Sequence, residues 1–175
     1  MKQIFIVLFI SSIFISCGKT QKQDTPTNTK QEKTKSEGLI TQKSNVVVDA
    51  NGVANVVIKS NDGMRFDIRK IKVKAGQKIR LTLKHTGKLG KKIMGHNVVF
   101  LRKNVKLSAF AVKAMEAKDN DYIPQGSKDI IAHTKMIGGG ETTSLEFMAP
   151  DTGTYDYVCS FPGHYGLMKG KLIVE

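Results

Sequence analysis

Near its C-terminus the chain reads Val158-Cys159-Ser160-Phe161-Pro162-Gly163-His164-Tyr165-Gly166-Leu167-Met168-Lys169-Gly170. This short stretch offers a thiol, an imidazole and a thioether, at Cys159, His164 and Met168. Such soft ligands favour copper, because a copper site that cycles between Cu(I) and Cu(II) typically uses two histidines and one cysteine in a plane with a weak axial methionine. The stretch supplies three of those four ligands and therefore requires a second histidine from elsewhere.

A candidate for that histidine lies in Met94-Gly95-His96-Asn97-Val98-Val99-Phe100. Because a β-branched and aromatic run follows it, His96 is expected at the mouth of a strand. The Pro162-Gly163 pair marks a tight turn, which should direct Cys159 and His164 towards a common centre.

These motifs, with Ile131-Ala132-His133-Thr134-Lys135 between them, resemble the cupredoxins and among them the azurins. The resemblance covers roughly residues 45 to 175. It implies a mononuclear type 1 (blue) copper site, one copper per chain, with ligands His96, Cys159, His164 and Met168. Two simpler interpretations stay open, since a lone buried cysteine is often only a small apolar residue and a lone methionine often only core packing.

The same resemblance assigns supporting roles around the metal. Gly95 would turn its carbonyl to the copper as a long, weak contact, or would serve backbone conformation only. Asn97 would bond across to the Cys159 loop, and the backbone N–H of Phe161 would donate to the thiolate. Contacts of this kind tune redox potential and restrict ligand motion. His85 and His133 match histidines that do not bind copper in azurins.

From Asn45 onward, short β-prone runs alternate with turn residues, and Ile79, Leu81 and Leu83 alternate with polar neighbours. This pattern predicts an all-β fold, an antiparallel Greek-key sandwich or barrel of about eight strands. The predicted strands are Val46–Val48, Val56–Ile58, Phe66–Val73, Lys78–Lys84, Asn97–Leu101, Ser144–Phe147, Gly153–Cys159 and Lys171–Val174.

One segment departs from the strand pattern. Ser108–Lys118 contains good helix formers and predicts a short helical flap that Ser108 could cap. Residues 119–140 contain Pro124 and the run Gly138-Gly139-Gly140, and they are expected to be irregular.

The N-terminal part predicts export. Residues 1–16 read as a signal peptide, with a positively charged start and an apolar core too short to span a bilayer. Cys17 ends that core as the lipidated residue of a bacterial lipoprotein does, although Phe14 stands where leucine is usual. An ordinary secretory signal and a Cys17–Cys159 disulfide remain alternatives. Residues 17–44 are expected to be a disordered Lys/Thr/Gln-rich tether, and residues 45–175 the folded domain, lipid-anchored in the bacterial cell envelope.

The formal net charge of the 175-residue chain is +13. In an exported protein with dispersed lysines, this charge favours solubility or steering towards acidic partners, and we expect no binding to nucleic acid. A membrane contact through the lipid anchor and a monomeric state are also expected.

The function predicted from the site is one-electron transfer, because a copper held by four or five protein contacts has no open position for a substrate. An apolar docking patch is expected around an exposed ring edge of His164, formed by Met94, Phe161, Pro162, Gly163, Tyr165 and Leu167. Redox partners implied by the resemblance are c-type cytochromes, a haem peroxidase or a nitrite reductase.

Two other functions remain as alternatives to electron transfer. A storage or delivery protein would use the same ligands but usually prefers exposed Met or His clusters. A copper enzyme would need a second copper site, and only His85 and His133 are left for one.

The sequence also departs from azurins in two respects. No cysteine lies between Cys17 and Cys159, so the disulfide near the N-terminus of the family's domain is missing, and there is no tryptophan. Val98 stands where azurins often carry a core indole. Both departures bear on stability rather than on the ligand set.

Overall fold

The computed structural model describes residues 45–175. The predicted signal peptide, Cys17 and the tether lie outside these residues. The described part forms ten strands in two sheets. They are β1 Val46–Val48, β2 Ala54–Asn61, β3 Arg65–Phe66, β4 Lys70–Val73, β5 Lys78–His85, β6 Val99–Leu101, β7 Ile130–His133, β8 Thr142–Met148, β9 Gly153–Val158 and β10 Lys169–Val174.

The first sheet has the order β1-β2-β5-β8, with β3 paired to β2, and the second has the order β4-β10-β9-β6-β7. The predicted all-β sandwich is confirmed, but the two sheets do not close into a barrel. The expectation of purely antiparallel pairing is wrong at two places, since β2 pairs with β5 and β4 with β10 in parallel. The single strand predicted over residues 66–73 is divided into β3 and β4.

The main core lies between the sheets because β2 and β5 bury every second residue. Phe100 and Tyr157 pack at its centre with ring centroids 5.6 Å apart, and the Tyr157 hydroxyl donates to the Ile68 carbonyl at 2.5 Å. Gly170 pairs with Tyr157 across β9 and β10, and an added Cβ there would lie 2.2 Å from the Tyr157 ring. Val98, which stands where azurins often carry a core indole, is fully buried in this core.

Two α-helices lie outside the sheets, α1 at Lys91–Met94 and α2 at Leu107–Glu116, and a 3-10 helix follows α2 at Lys118–Asn120. The α2 helix is the predicted flap, and it packs Phe110 and Ala114 on a second, smaller core. The Ser108 cap is wrong, because the helix begins one residue earlier and Lys106 stands at the cap position. The expectation that residues 119–140 are irregular is wrong at β7, and the four-residue α1 was not predicted.

The strand directions define two ends of the sandwich. One end contains the last residues of β5 and β9, which are His85 and Val158. It also contains Lys169, the first residue of β10, as the strand registers show. Gln77, Gly153 and Glu175 lie at the other, called here the distal end. Within residues 45–175, no helix has the length and apolar character needed to cross a membrane.

Candidate metal centre

Three metal-ligating side chains meet at the first of these ends. His96 follows α1, whereas Cys159 and His164 lie on the loop between β9 and β10. Their ligand atoms lie within 4.8 Å of one another, and all three residues are buried. Sequence reasoning named these residues, and the fold brings them together from positions more than 60 apart in the chain.

The spacing of these atoms fits a single ion between them. Cys159 Sγ lies 3.7 Å from Nδ1 of His164 and 4.0 Å from Nδ1 of His96. An ion with bonds of about 2.3 Å to sulfur and about 2.0 Å to nitrogen, as known for zinc, holds its ligand atoms roughly 3.5 to 3.8 Å apart. A thiolate with two imidazoles is the in-plane ligand set of blue copper sites.

The tautomer of His96 is set by a hydrogen bond from its other ring nitrogen. Nε2 lies 3.0 Å from the Asn61 carbonyl, an acceptor, so Nε2 carries the proton and Nδ1 keeps its lone pair towards Cys159. The backbone of His96 exchanges two hydrogen bonds of 2.9 Å with Ile137. These hydrogen bonds fix the orientation of the His96 ring and the position of its backbone in the metal-free protein.

Burial sets the protonation states of the metal-free site. It lowers the pKa of His96 to about 4, with neighbouring His85 and His164 adding to the shift and the Asn61 hydrogen bond opposing it. It also lowers the pKa of His164 to about 4. Both imidazoles are therefore neutral at physiological pH and can donate a lone pair to a cation.

Burial acts in the opposite direction on the thiol. It raises the pKa of Cys159 to about 11, while the backbone N–H groups of Asn97 and Phe161 lower it. The two donors point at sulfur and would stabilise a thiolate once a metal displaced the proton. The Phe161 donor was expected from the sequence, whereas the Asn97 N–H was not.

Asn97 joins the two segments that carry the ligands. Its amide Nδ2 donates to Ser160 Oγ at 2.8 Å, and its Oδ1 accepts from the Ser160 N–H at 2.9 Å. Both residues are buried. The structure thus places Asn97 in the position that the sequence suggested, with a two-point contact beside Cys159.

Met168 and Gly95 lie against the same centre. The Cys159 N–H donates to the Met168 carbonyl at 2.9 Å, which continues the β9–β10 register by one pair and places both side chains on one face of the sheet. Met168 is fully buried. The Gly95 carbonyl lies 3.9 Å from Cys159 Sγ, and an added Cβ on Gly95 would lie 2.5 Å from the Lys91 carbonyl. Close packing alone therefore explains a glycine at this position.

His85 supports the site without joining the ligand set. Its ring stacks on that of His96 at 4.4 Å. Its Nδ1 accepts from the Gly87 N–H at 3.0 Å, and its Nε2 donates to the Met94 carbonyl at 2.9 Å. Both ring nitrogens are thus occupied. The sequence contained no signal for this stacking, because it depends on contacts between separate elements.

The predicted docking patch forms a partly exposed surface over the ligand loop. Gly163, Tyr165 and Leu167 are exposed, whereas Met94, Phe161 and Pro162 are partly buried. His164 itself keeps only 3 % of its surface exposed, so the expected exposed ring edge is narrow. Ile93, 67 % exposed and adjacent to Met94, is an apolar neighbour that sequence reasoning missed.

A two-sheet β-sandwich with a buried His-Cys-His cluster at one end defines the class of small copper proteins. The family model "Copper binding proteins, plastocyanin/azurin family" matches residues 52–175. The chain belongs to this family, and copper is the metal that its site fits.

Similar proteins agree with this assignment. Azurin of Alcaligenes faecalis is 45 % identical over 123 residues, covering 67 % of this chain and 95 % of that one. Outer membrane protein H.8 of Neisseria gonorrhoeae is 40 % identical over 124 residues, covering 69 % and 67 %. Among solved structures, auracyanin A, a "blue" copper protein of Chloroflexus aurantiacus, superimposes with a TM-score of 0.65 at 31 % identity, covering 71 % of this chain and 100 % of the other.

Proposed function

We propose that the chain is a one-electron carrier of the bacterial cell envelope and not an enzyme. The observation that carries this proposal is the enclosure of the candidate ligands. His96, Cys159 and Met168 have no exposed surface and His164 has 3 %. A bound copper would supply the one-electron chemistry by alternating between Cu(I) and Cu(II).

The residues of the chain would hold one geometry in both oxidation states. The Asn61 carbonyl orients His96, the Asn97–Ser160 pair joins the two ligand segments, and the Met168 carbonyl holds the Cys159 N–H. Because packed, hydrogen-bonded groups cannot rearrange freely, little reorganisation would accompany each transfer. The apolar surface at Tyr165 and Leu167 would allow weak, transient docking.

Location and partners extend this proposal. The relatives called outer membrane protein H.8 support a place in the cell envelope, where a lipidated Cys17 would anchor a monomer through the tether of residues 17–44. Redox partners would be c-type cytochromes, a haem peroxidase or a nitrite reductase, as the family resemblance suggests.

The two alternative functions differ in what they require of the site. A storage or delivery protein needs ligands that release copper. The candidate ligands here are buried, and hydrogen bonds between Asn97 and Ser160 join the segments that carry them, which opposes release. A second copper site for an enzyme would need free histidines, but both ring nitrogens of His85 are engaged in hydrogen bonds. His133 lies at an exposed position of a separate strand, and its Nδ1 is 3.1 Å from the Thr134 carbonyl.

The test is a visible absorption and electron paramagnetic resonance spectrum of the full chain after addition of Cu(II), with Cys159→Ser as the comparison. We expect an intense blue charge-transfer band and narrow copper hyperfine splitting, both lost in the variant. A pale spectrum that the substitution does not change would contradict the proposal. Rapid transfer of copper to a chelator from a blue wild-type site would favour storage or delivery instead.

A further inference from the structure

A cleft of about 380 Å³ lies beside the metal centre. Tyr122, Met136 and Phe161 form its apolar part. Its charged rim consists of Lys91, Lys92, Lys118, Asp119 and Asp121. The cleft reaches the ligand loop at Phe161 and α1 at Lys91, so it borders both segments that carry candidate copper ligands.

The rim carries cations that are free to meet a partner. Lys91 Nζ pairs with Asp121 Oδ1 at 2.9 Å. Lys92 and Lys118 are both exposed and form no ion pair within residues 45–175. Only Asp119 opposes them on the rim, so the cleft presents a net positive charge around an apolar floor.

A chain of aromatic rings leads from this cleft to the site. The Tyr122 ring meets the Phe161 ring edge-on, with centroids 5.3 Å apart. The Phe161 ring in turn lies 4.6 Å from the His164 ring. Phe161 also directs its backbone N–H at Cys159. The cleft therefore reaches the candidate ligand His164 through one residue, Phe161, whose backbone N–H also donates to the Cys159 sulfur.

The turn that presents Tyr122 is conformationally strained. Asp121 and Tyr122 both have left-handed backbones, with φ of 51° and 60°, and neither is glycine. Non-glycine residues in this region are strained, and such strain collects at functional sites. The Lys91–Asp121 ion pair and the bond from the Tyr122 N–H to the Ala117 carbonyl, 2.9 Å, hold the turn.

We propose that this cleft is a second docking site, for an acidic segment of a redox protein, beside the apolar patch over His164 and sharing Phe161 with it. Carboxylates of the partner would meet Lys92 and Lys118, and its apolar side chains would meet Tyr122 and Met136. One electron would pass between the partner and the site by way of Tyr122 and Phe161, without movement of a proton. This inference rests on the proposed electron-carrier function.

Binding is tested on the metal-free full chain with hexacyanocobaltate(III), a redox-inert trivalent anion, by amide chemical-shift mapping. We expect shifts at the rim of the cleft and binding on the order of tenfold weaker in Lys92→Glu/Lys118→Glu. The matched control is Lys59→Glu/Lys84→Glu, an exposed, register-paired couple on β2 and β5 with the same change of charge. The difference should shrink as salt screens it.

The electron route is tested with hexacyanoferrate(III), which takes one electron from the reduced, copper-loaded chain and becomes hexacyanoferrate(II). Tyr122→Leu should lower the rate at saturating oxidant. Because hexacyanoferrate(III) is an anion without apolar groups, its binding should depend on Lys92 and Lys118 rather than on this ring. Tyr122→Phe keeps the ring and should keep the wild-type rate, so it separates loss of the aromatic contact from disturbance of the turn.

Several results would overturn the docking site. Shifts spread evenly over the surface lysines, or equal weakening in the control pair, would show only nonspecific anion attraction. Equal rates in Tyr122→Leu and wild type would remove the route through the cleft. If the wild type shows no blue band, or exchanges no electron with any reagent, the electron-carrier function itself is wrong, whatever the anion mapping shows.

Discussion

The metal end and the distal end of the sandwich use the same kinds of hydrogen bond in different surroundings. At the metal end, Asn97 and Ser160 are joined while buried. At the distal end, Asn55 reaches Asp49 at 3.2 Å, and Gln77 reaches the Gly52 carbonyl at 2.9 Å, both near water. A lost bond costs more where water cannot replace the partner. The metal end is therefore expected to be the less tolerant of substitution.

Glycines show the same contrast. Gly95 has an ordinary φ of −68° but no room for a Cβ, whereas Gly76 at the distal end has φ of +66° and open space around it. One glycine is required by packing and the other by backbone conformation. Substituting both tests which end carries the tighter constraint.

The largest effect is expected for Gly95→Ala. The added methyl group would lie 2.5 Å from the Lys91 carbonyl and 3.0 Å from both Met136 Sδ and a Phe161 ring carbon. Overpacking of this kind costs about 3 kcal/mol, and relief of the clash would move Phe161 and the His96 segment. Chemical denaturation and the copper spectrum should both change. An unperturbed blue band with wild-type stability would show that the metal end is looser than its packing indicates.

A smaller loss is expected for Asn97→Ala. The change leaves the buried N–H and hydroxyl of Ser160 without their partner, at a cost of about 2 kcal/mol. Copper should also be lost faster to a chelator, because the two ligand segments would no longer be joined. Asn55→Ala is the matched control, since Asn55 makes four hydrogen bonds at the distal end, three from Nδ2 and one accepted by Oδ1 from Arg80. Equal destabilisation by the two changes would break the contrast between the ends.

Gly76→Ala should cost about 1 kcal/mol, the strain of a left-handed alanine, and should leave the copper spectrum unchanged. Denaturation midpoints measure the first expectation and absorption the second. A spectral change here would mean that the distal end is coupled to the metal centre through the strands.

The smallest effect is expected for Glu146→Gln on the surface of the first sheet. Hydrogen bonds from Arg80 and then Lys78 lower the pKa of Glu146 below its ordinary value of 4.5. The folded pKa is the lower one, so this stabilisation is present above pH 4.5 and is lost as the pH falls through the folded value. Thermal unfolding of the metal-free chain should show a shallower acid decline in the variant. An identical decline in both proteins would show that the ion pair contributes nothing.

Much of the fold could be predicted because its patterns are local. Alternation in β4 and β5 and the β-prone run in β2 revealed strands, and the sequence of α2 revealed the flap. α1 was missed because four residues give no readable helical period. β7 was missed because it lies within residues 119–140, which were expected to be irregular, and the parallel pairs were missed because pairing direction depends on topology. The division of residues 66–73 into two strands likewise has no local signal.

By itself the sequence supplied the candidate copper ligands, because a thiol, an imidazole and a thioether within one loop constrain the chemistry whatever surrounds them. Only the tertiary structure decided which groups orient these candidate ligands and which surface residues lead to them. The Asn61 carbonyl on His96, the stacking of His85 and the approach of Tyr122 to Phe161 all join elements distant in the chain. Such contacts arise from the packing of two sheets around one core, and packing leaves no local pattern in a sequence.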